Sequence, residues 1–363
     1  MRMRSCLLAV SLAAIACTLA AQTAPSGYKV PRMPDGHPDL GGTYDIATLT
    51  PLQRPRGQNA TLTKEDVKKL ETANIDRRSR GDAPLAADRS APPVGGIGRG
   101  GGAGGAVGGY NGFWLDPGSS YTMVDGQYRS SIVIDPADGR IPSLTKEGQR
   151  RFVGDFDPVS EGADGGDPDL DKTPGAYDDP ERRPLSERCL LGFGNTAGPP
   201  ALNNGGYNNL HQIVQTPDSV MILTEMVHDA RVVRMNAQHL PKTFRLWLGD
   251  SVGRWEGDTL VIDTTNFTEK THFGGSTENL HVVERLTRTG PNTLLYRFTV
   301  DDPATWTRPW TGEMTWPTTD KHMYEYACHE ANYALGDILK GVRLQEKEQA
   351  DKEKAAAAGK AAR

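Results

Sequence analysis

Four ionisable side chains fall within the seven positions Glu225-Met226-Val227-His228-Asp229-Ala230-Arg231, between two apolar runs. A histidine beside a carboxylate has the parts of a general base, and an arginine nearby can hold a carboxylate or a developing oxyanion. On an ideal strand Glu225, Asp229 and Arg231 share one face and His228 points to the other. A bend at His228-Asp229 would gather all four at one barrel mouth. The plainer alternative is a polar hairpin corner with a structural salt bridge. His281 and Arg285 lie on one face of the run from Leu280 to Arg288, with Glu284 on the other, and Cys328-His329-Glu330 sets a further histidine beside an acid. Together these groups suit acid–base chemistry such as hydrolysis, elimination or isomerisation, with His228 or His281 as base and Arg231 as anion holder. That reading needs the register that turns His281 and Arg285 inward and expels Glu284. The opposite register buries Leu280, Val282 and Leu286 and leaves His281 outside.

Other constellations compete. His228, His281 and His329 on neighbouring strands would suffice for zinc if they converged, although the close His-x-x-x-His spacing is missing. Asp167-x-Asp169-x-Asp171-x-Thr173, with Asp178 at the twelfth position, resembles a calcium loop. Against it, Lys172 stands where the sharp turn needs glycine, and the last ligand is Asp rather than Glu. The sequence thus assigns no metal or cofactor. Trp306, Trp310 and Trp316 are all even-numbered, so one unbroken strand would align them as a platform for sugar rings. The alternative function is accordingly a carbohydrate-binding or envelope-associated module, and the partner is a small organic molecule or a saccharide. Tryptophans inside a barrel are more ordinarily core. A serine-hydrolase reading is set aside.

Composition narrows the class. Lys and Arg number 41 against 46 Asp and Glu, for a net charge of −5. No cationic excess exists to neutralise phosphates, so a nucleic-acid binder is excluded. Arg2 and Arg4, the apolar run from Cys6 to Ala16, and Thr18-Leu19-Ala20-Ala21 have the layout of a secretory signal peptide over residues 1–21. Lipidation at Cys17 is a weaker alternative. No later run is long and apolar enough to span a bilayer, so the mature chain is expected in the periplasm or outside the cell without a transmembrane segment. Cys189 and Cys328 then remain as a disulfide pair.

The elements that must position these residues are strands. The chain has 41 Gly and 25 Pro in 363 residues, which suits many turns and long connections. Residues 22–93 read as an irregular segment with a short helix capped by Thr63, and 94–109 as a Gly-rich linker. Residues 110–335 read as a β-rich domain interrupted by an acidic connection at 154–206, and 336–363 as a helical, charged tail. Hairpins are expected at 130–142, 254–263, 280–301 and 311–328, each around a Gly, Pro or Asn turn. The fold class is therefore mainly β, an antiparallel meander with a barrel-like C-terminal half and a C-terminal helix.

Pro34-Asp35-Gly36-His37-Pro38-Asp39-Leu40, Trp247-Leu248-Gly249-Asp250-Ser251, the stretch from Gly253 to Phe267 (GRWEGDTLVIDTTNF) and Tyr326-Ala327-Cys328-His329-Glu330 carry a resemblance. They are similar to a large family of secreted bacterial proteins with no assigned reaction, over roughly Tyr28 to Glu346. The resemblance implies export and a β-rich domain and transfers no catalytic residue. Gly253-x-Trp255 and the meander also resemble lipocalin-type barrels, in shape alone.

Overall fold

Alternating apolar and polar residues from Leu210 onward commit most of the C-terminal half to strands, because every second side chain must leave water. The computed structural model describes residues 27–81, 116–151, 175, 177–183, 185–192, 198–202, 207–270, 273–330 and 332–361. The signal-like segment, the Gly-rich stretch and the calcium-like Asp167–Thr173 loop lie outside them. In chain order the elements are β1 (Gly42–Asp45), β2 (Thr61–Leu62), α1 (Lys64–Gly81), β3 (Met123–Val124), β4 (Gln127–Arg129), β5 (Val133–Asp135), α2 (Lys146–Arg151) and β6 (Leu210–Gln215). They continue with β7 (Ser219–Thr224), β8 (Ala230–Met235), β9 (Asp250–Glu256), β10 (Thr259–Thr265), β11 (His281–Gly290), β12 (Thr293–Asp301), β13 (Trp310–Pro317) and α3 (Ala334–Ala361).

Ten strands form one curled, largely antiparallel sheet in the order β1-β6-β7-β8-β9-β10-β11-β12-β13-β5, a half-barrel. Tyr44 bridges Thr318, and the Thr319 amide donates to the Thr43 carbonyl at 3.0 Å, so the first strand comes back against the end of β13. The concave side holds the core: Ile213, Ile222, Val233, Leu260, Ile262, Val282, Leu286, Tyr296, Phe298, Trp310 and Trp316 are all buried. Packing there is close enough to dictate residue type. A Cβ on Gly312 would sit 2.4 Å from the buried Phe298 ring, so only glycine fits. β2, β4 and β3 make a separate small sheet. α1 begins as its sequence requires: the Asp66 amide donates to Thr63 Oγ1 at 3.1 Å and the Thr63 amide to Asp66 Oδ2 at 3.2 Å, a reciprocal cap.

Several local expectations fail for non-local reasons. β1 forms in a proline-punctuated region read as irregular, because Tyr44 and Ile46 find core partners once β6 is beside them. β13 pairs with β12 and β5 rather than with residues 322–328, which form no strand. β5 likewise pairs with β13 instead of with 140–142, although the turn below it closes, the Gly139 amide donating to the Pro136 carbonyl at 2.8 Å. β8 and β9 run parallel, which breaks the meander and makes residues 236–249 a return crossing. That crossing is tied down by a bridge between Leu246 and Phe267.

Candidate functional site

Among the described residues, the β7–β8 corner is where two consecutive non-glycine residues take left-handed backbone conformations. Thr224 closes it by donating its amide to the Asp229 carbonyl at 2.8 Å, and the Glu225 amide ties it to the Leu210 carbonyl at 2.9 Å. Between them Val227 (φ 58°) and His228 (φ 48°) are consecutive residues in the left-handed region, neither of them glycine. For a β-branched residue this is a genuine outlier, and each such residue costs roughly 1–3 kcal/mol unless its surroundings enforce it. The surroundings do so here by burying Met226 and Val227, which anchors the turn and leaves His228 in solvent.

Two further segments close on this corner. Glu225 is buried and its Oε1 accepts the Tyr324 amide at 3.0 Å. The Asp229 carboxyl accepts the backbone N–H of Gly192. The segments carrying Gly192 and Tyr324 are themselves joined by the Cys189–Cys328 disulfide, whose Cα atoms are 5.9 Å apart. The disulfide expectation therefore holds, and it has a positional result. Glu225, His228 and Asp229 share one rim with the segment that carries His329, which is exposed directly after Cys328. Asp229 is the unusual group there. Burial pushes its carboxyl up from the ordinary 3.8 to about 7, only partly offset by the Gly192 bond. Among the described residues its Oδ2 is buried without a hydrogen-bond partner. A buried carboxylic acid that titrates near neutrality can both donate and accept a proton under working conditions.

Arg231 is not available as an anion holder. It points into the half-barrel, 6% exposed, and its guanidinium forks onto Glu284, Nη1 to Oε2 at 2.5 Å and Nη2 to Oε1 at 2.9 Å. Glu284 is 0% exposed and also accepts the Tyr296 hydroxyl at 2.8 Å. The Tyr296 oxygen in turn accepts the Ala201 amide at 2.8 Å. Burial, with the Glu284 charge beside it, holds the Tyr296 phenol well above its ordinary value, so it stays a donor. A fully paired network of this kind makes a specific interior and leaves no fork free for substrate.

His281 takes the opposite register from the one the site reading needs. Leu280, Val282, Glu284 and Leu286 are buried, so His281 and Arg285 lie on the outer face and Glu284 is inside. The charge is tolerated inside because Arg231 neutralises it, and expelling it would have exposed three apolar residues instead. On the outer face His281 joins residues that local reading missed. Its Nε2 and the Nε2 of His239 each lie 3.0 Å from Asp263 Oδ1. His239 Nδ1 is 3.1 Å from Asp250 Oδ2, and Arg234 donates to Asp250 Oδ1 at 2.8 Å. The Asp263 bond and charge raise the His281 imidazole above its ordinary 6.5, and the same bond depresses Asp263. Asp250 and Asp263 do stand in the stretches that carry the family resemblance. β10 and β11 pair antiparallel with Asp263 opposite Val283, which sets His281 two residues along on the same outer face as Asp263.

His228, His281 and His329 are not brought together as a metal centre among the described residues. Among the described residues no group of three or more His, Cys, Asp or Glu is arranged to hold an ion. No unbroken strand carries the three tryptophans: Trp310 and Trp316 lie on β13, Trp306 lies before it in an isolated bridge with Leu144, and all three are core, 4%, 1% and 0% exposed for Trp306, Trp310 and Trp316. Trp316 stacks on Tyr296 with ring centroids 4.5 Å apart. No sugar platform exists there. Gly249-Asp250-Ser251-Val252-Gly253 has nucleophile-elbow spacing, yet Ser251 lies within β9, and its Oγ meets Thr264 Oγ1 at 2.9 Å and Arg231 rather than an imidazole. No protein-family model matches the chain, and no curated protein matches it.

Proposed function

We propose that this is an exported protein that binds a small organic molecule at the β7–β8 rim and transforms it by proton transfer through Asp229. The observation that carries the reading is the Asp229 carboxyl, buried against Gly192, titrating at about 7 and held on a corner with two left-handed residues. Strained backbone and displaced titration together are common where function, not stability, sets the geometry. His228, in solvent beside it, serves as the second proton carrier, and His329 lies on the neighbouring segment. Glu225 is engaged with the Tyr324 amide and acts as a positioning residue. Hydrolysis, elimination and isomerisation are the reaction classes such a pair serves. The disulfide supports an oxidising compartment, and we place the chain with the secreted bacterial proteins it resembles.

The test begins with native mass spectrometry of protein purified from its own envelope, to identify the retained molecule. That molecule is then incubated with the wild type and with Asp229→Asn, and its conversion is followed by NMR. Asn should keep binding within about threefold and lower turnover by about 10²–10⁴-fold, the usual worth of general acid–base catalysis. Equal turnover by both proteins would remove Asp229 from the chemistry.

A further inference from the structure

The crossing between β8 and β9 displays a cluster of partly exposed apolar side chains. Leu240 is 36% exposed, Phe244 57%, Leu246 45% and Trp247 37%. Four of the twelve large hydrophobics exposed among the described residues thus fall within eight consecutive positions. The segment is not a loose loop. The Phe244 amide donates to the Pro241 carbonyl at 2.8 Å, making a turn at its tip. At its root Leu240 donates to Asp250 Oδ2 at 2.7 Å, Asn266 Nδ2 donates to the Leu240 carbonyl at 2.9 Å, and Leu246 donates to the Asn266 carbonyl at 3.0 Å. Its apolar tip is therefore presented ready-made, and little order is lost when it enters a new environment.

Charge decides what that environment is. From Asn236 to Gly249 there is no Asp or Glu, although the chain carries 46 of them and a net charge of −5. The same stretch holds His239, Lys242 and Arg245. Lys242 is exposed beside Phe244, whereas Arg245 reaches back to Glu278, to its carbonyl at 2.8 Å and its carboxylate at 3.7 Å, and His239 lies between Asp250 and Asp263. We propose that the turn at the tip of this crossing inserts into the surface of an anionic phospholipid bilayer, with Lys242 at headgroup level and the exposed Phe244 and Leu246 side chains at the acyl boundary. Aromatic and aliphatic tips flanked by cations suit that interface, where an apolar body and a charged rim are both satisfied. A protein partner would need a patch of about 20–30 residues a side, several times what this turn offers. Docking here would hold the β7–β8 rim close to a membrane surface without any spanning segment.

The test is co-sedimentation of the full chain with vesicles of phosphatidylglycerol and phosphatidylethanolamine, against vesicles of phosphatidylcholine alone. Binding should favour the anionic vesicles and weaken with salt. Phe244→Ser should weaken it about tenfold, since roughly half a phenyl ring is at stake. Lys242→Glu should weaken it at least about fivefold. Both residues are exposed, so their urea midpoints should match the wild type, and Ile75→Ser on the exposed face of α1 should bind normally. Failure of the wild type to bind anionic vesicles would overturn the proposal. So would binding that neither loop variant weakens, or self-association in solution that Phe244→Ser abolishes.

Discussion

Asp229→Asn isolates the most unusual group of the rim. With a carboxyl that titrates at 3.8 in the unfolded chain and at about 7 in the fold, the native state binds the extra proton between those values. Stability must then fall as the pH rises through that window and level off above about 7, the reverse of a salt-bridged carboxylate. The full linkage is about 4 kcal/mol, the cost of keeping a charged carboxylate where burial disfavours it. Asparagine keeps the shape and an acceptor for the Gly192 N–H but cannot ionise. It should therefore stabilise the protein by about 0.5 kcal/mol at pH 4 and by about 4 kcal/mol at pH 8. Urea unfolding of both proteins at half-unit pH steps reads this as a midpoint difference that widens with pH at constant slope. Carboxylates with depressed values, such as Asp250 and Asp263, cancel in the comparison because both proteins carry them. A difference that stays flat within about 0.5 kcal/mol from pH 4 to pH 8 would refute the reasoning.

Three other outcomes follow from the same geometry. Glu284→Leu should cost about 3–5 kcal/mol by stranding Arg231, and Arg231→Met/Glu284→Leu should recover most of it, as urea midpoints would show. The His281 imidazole should titrate above 6.5 by NMR and fall towards that value in Asp263→Asn; its contribution to stability is fully present below 6.5 and is lost as the pH rises through the folded value. Gly312→Ala should destabilise by about 1–3 kcal/mol in thermal melts, because the Phe298 ring has nowhere to move.

Much of the half-barrel was legible because its signals are local. Gly257-Asp258 and Gly290-Pro291-Asn292 each join two alternating runs, and both became hairpins with their strands in place. Thr63 and Asp66 announced a helix start, and the helix after Ala334 followed from composition. The failures are pairings between distant segments. Nothing near Tyr44 says that β6 lies beside it. Nothing near Glu284 says that Arg231 waits three strands away to make its burial tolerable. The reading of the tryptophans as core held, but the even spacing did not mean one strand: Pro309 stands just before β13 begins at Trp310, and Trp306 reaches the core from outside it. At the rim, Glu225, His228 and Asp229 stood out as a dense run of ionisable residues, but two facts were hidden. The backbone folds left-handed at Val227-His228, and Gly192, pinned by the disulfide, covers the Asp229 carboxyl.

Proton transfer at the rim requires that carboxyl to titrate near neutrality. The most direct measurement is the side-chain carboxyl ¹³C shift of Asp229, assigned by its loss in Asp229→Asn and followed from acid to alkaline pH. A midpoint near 7 is the predicted result; a midpoint near 3.8, where an ordinary aspartate titrates, would contradict it.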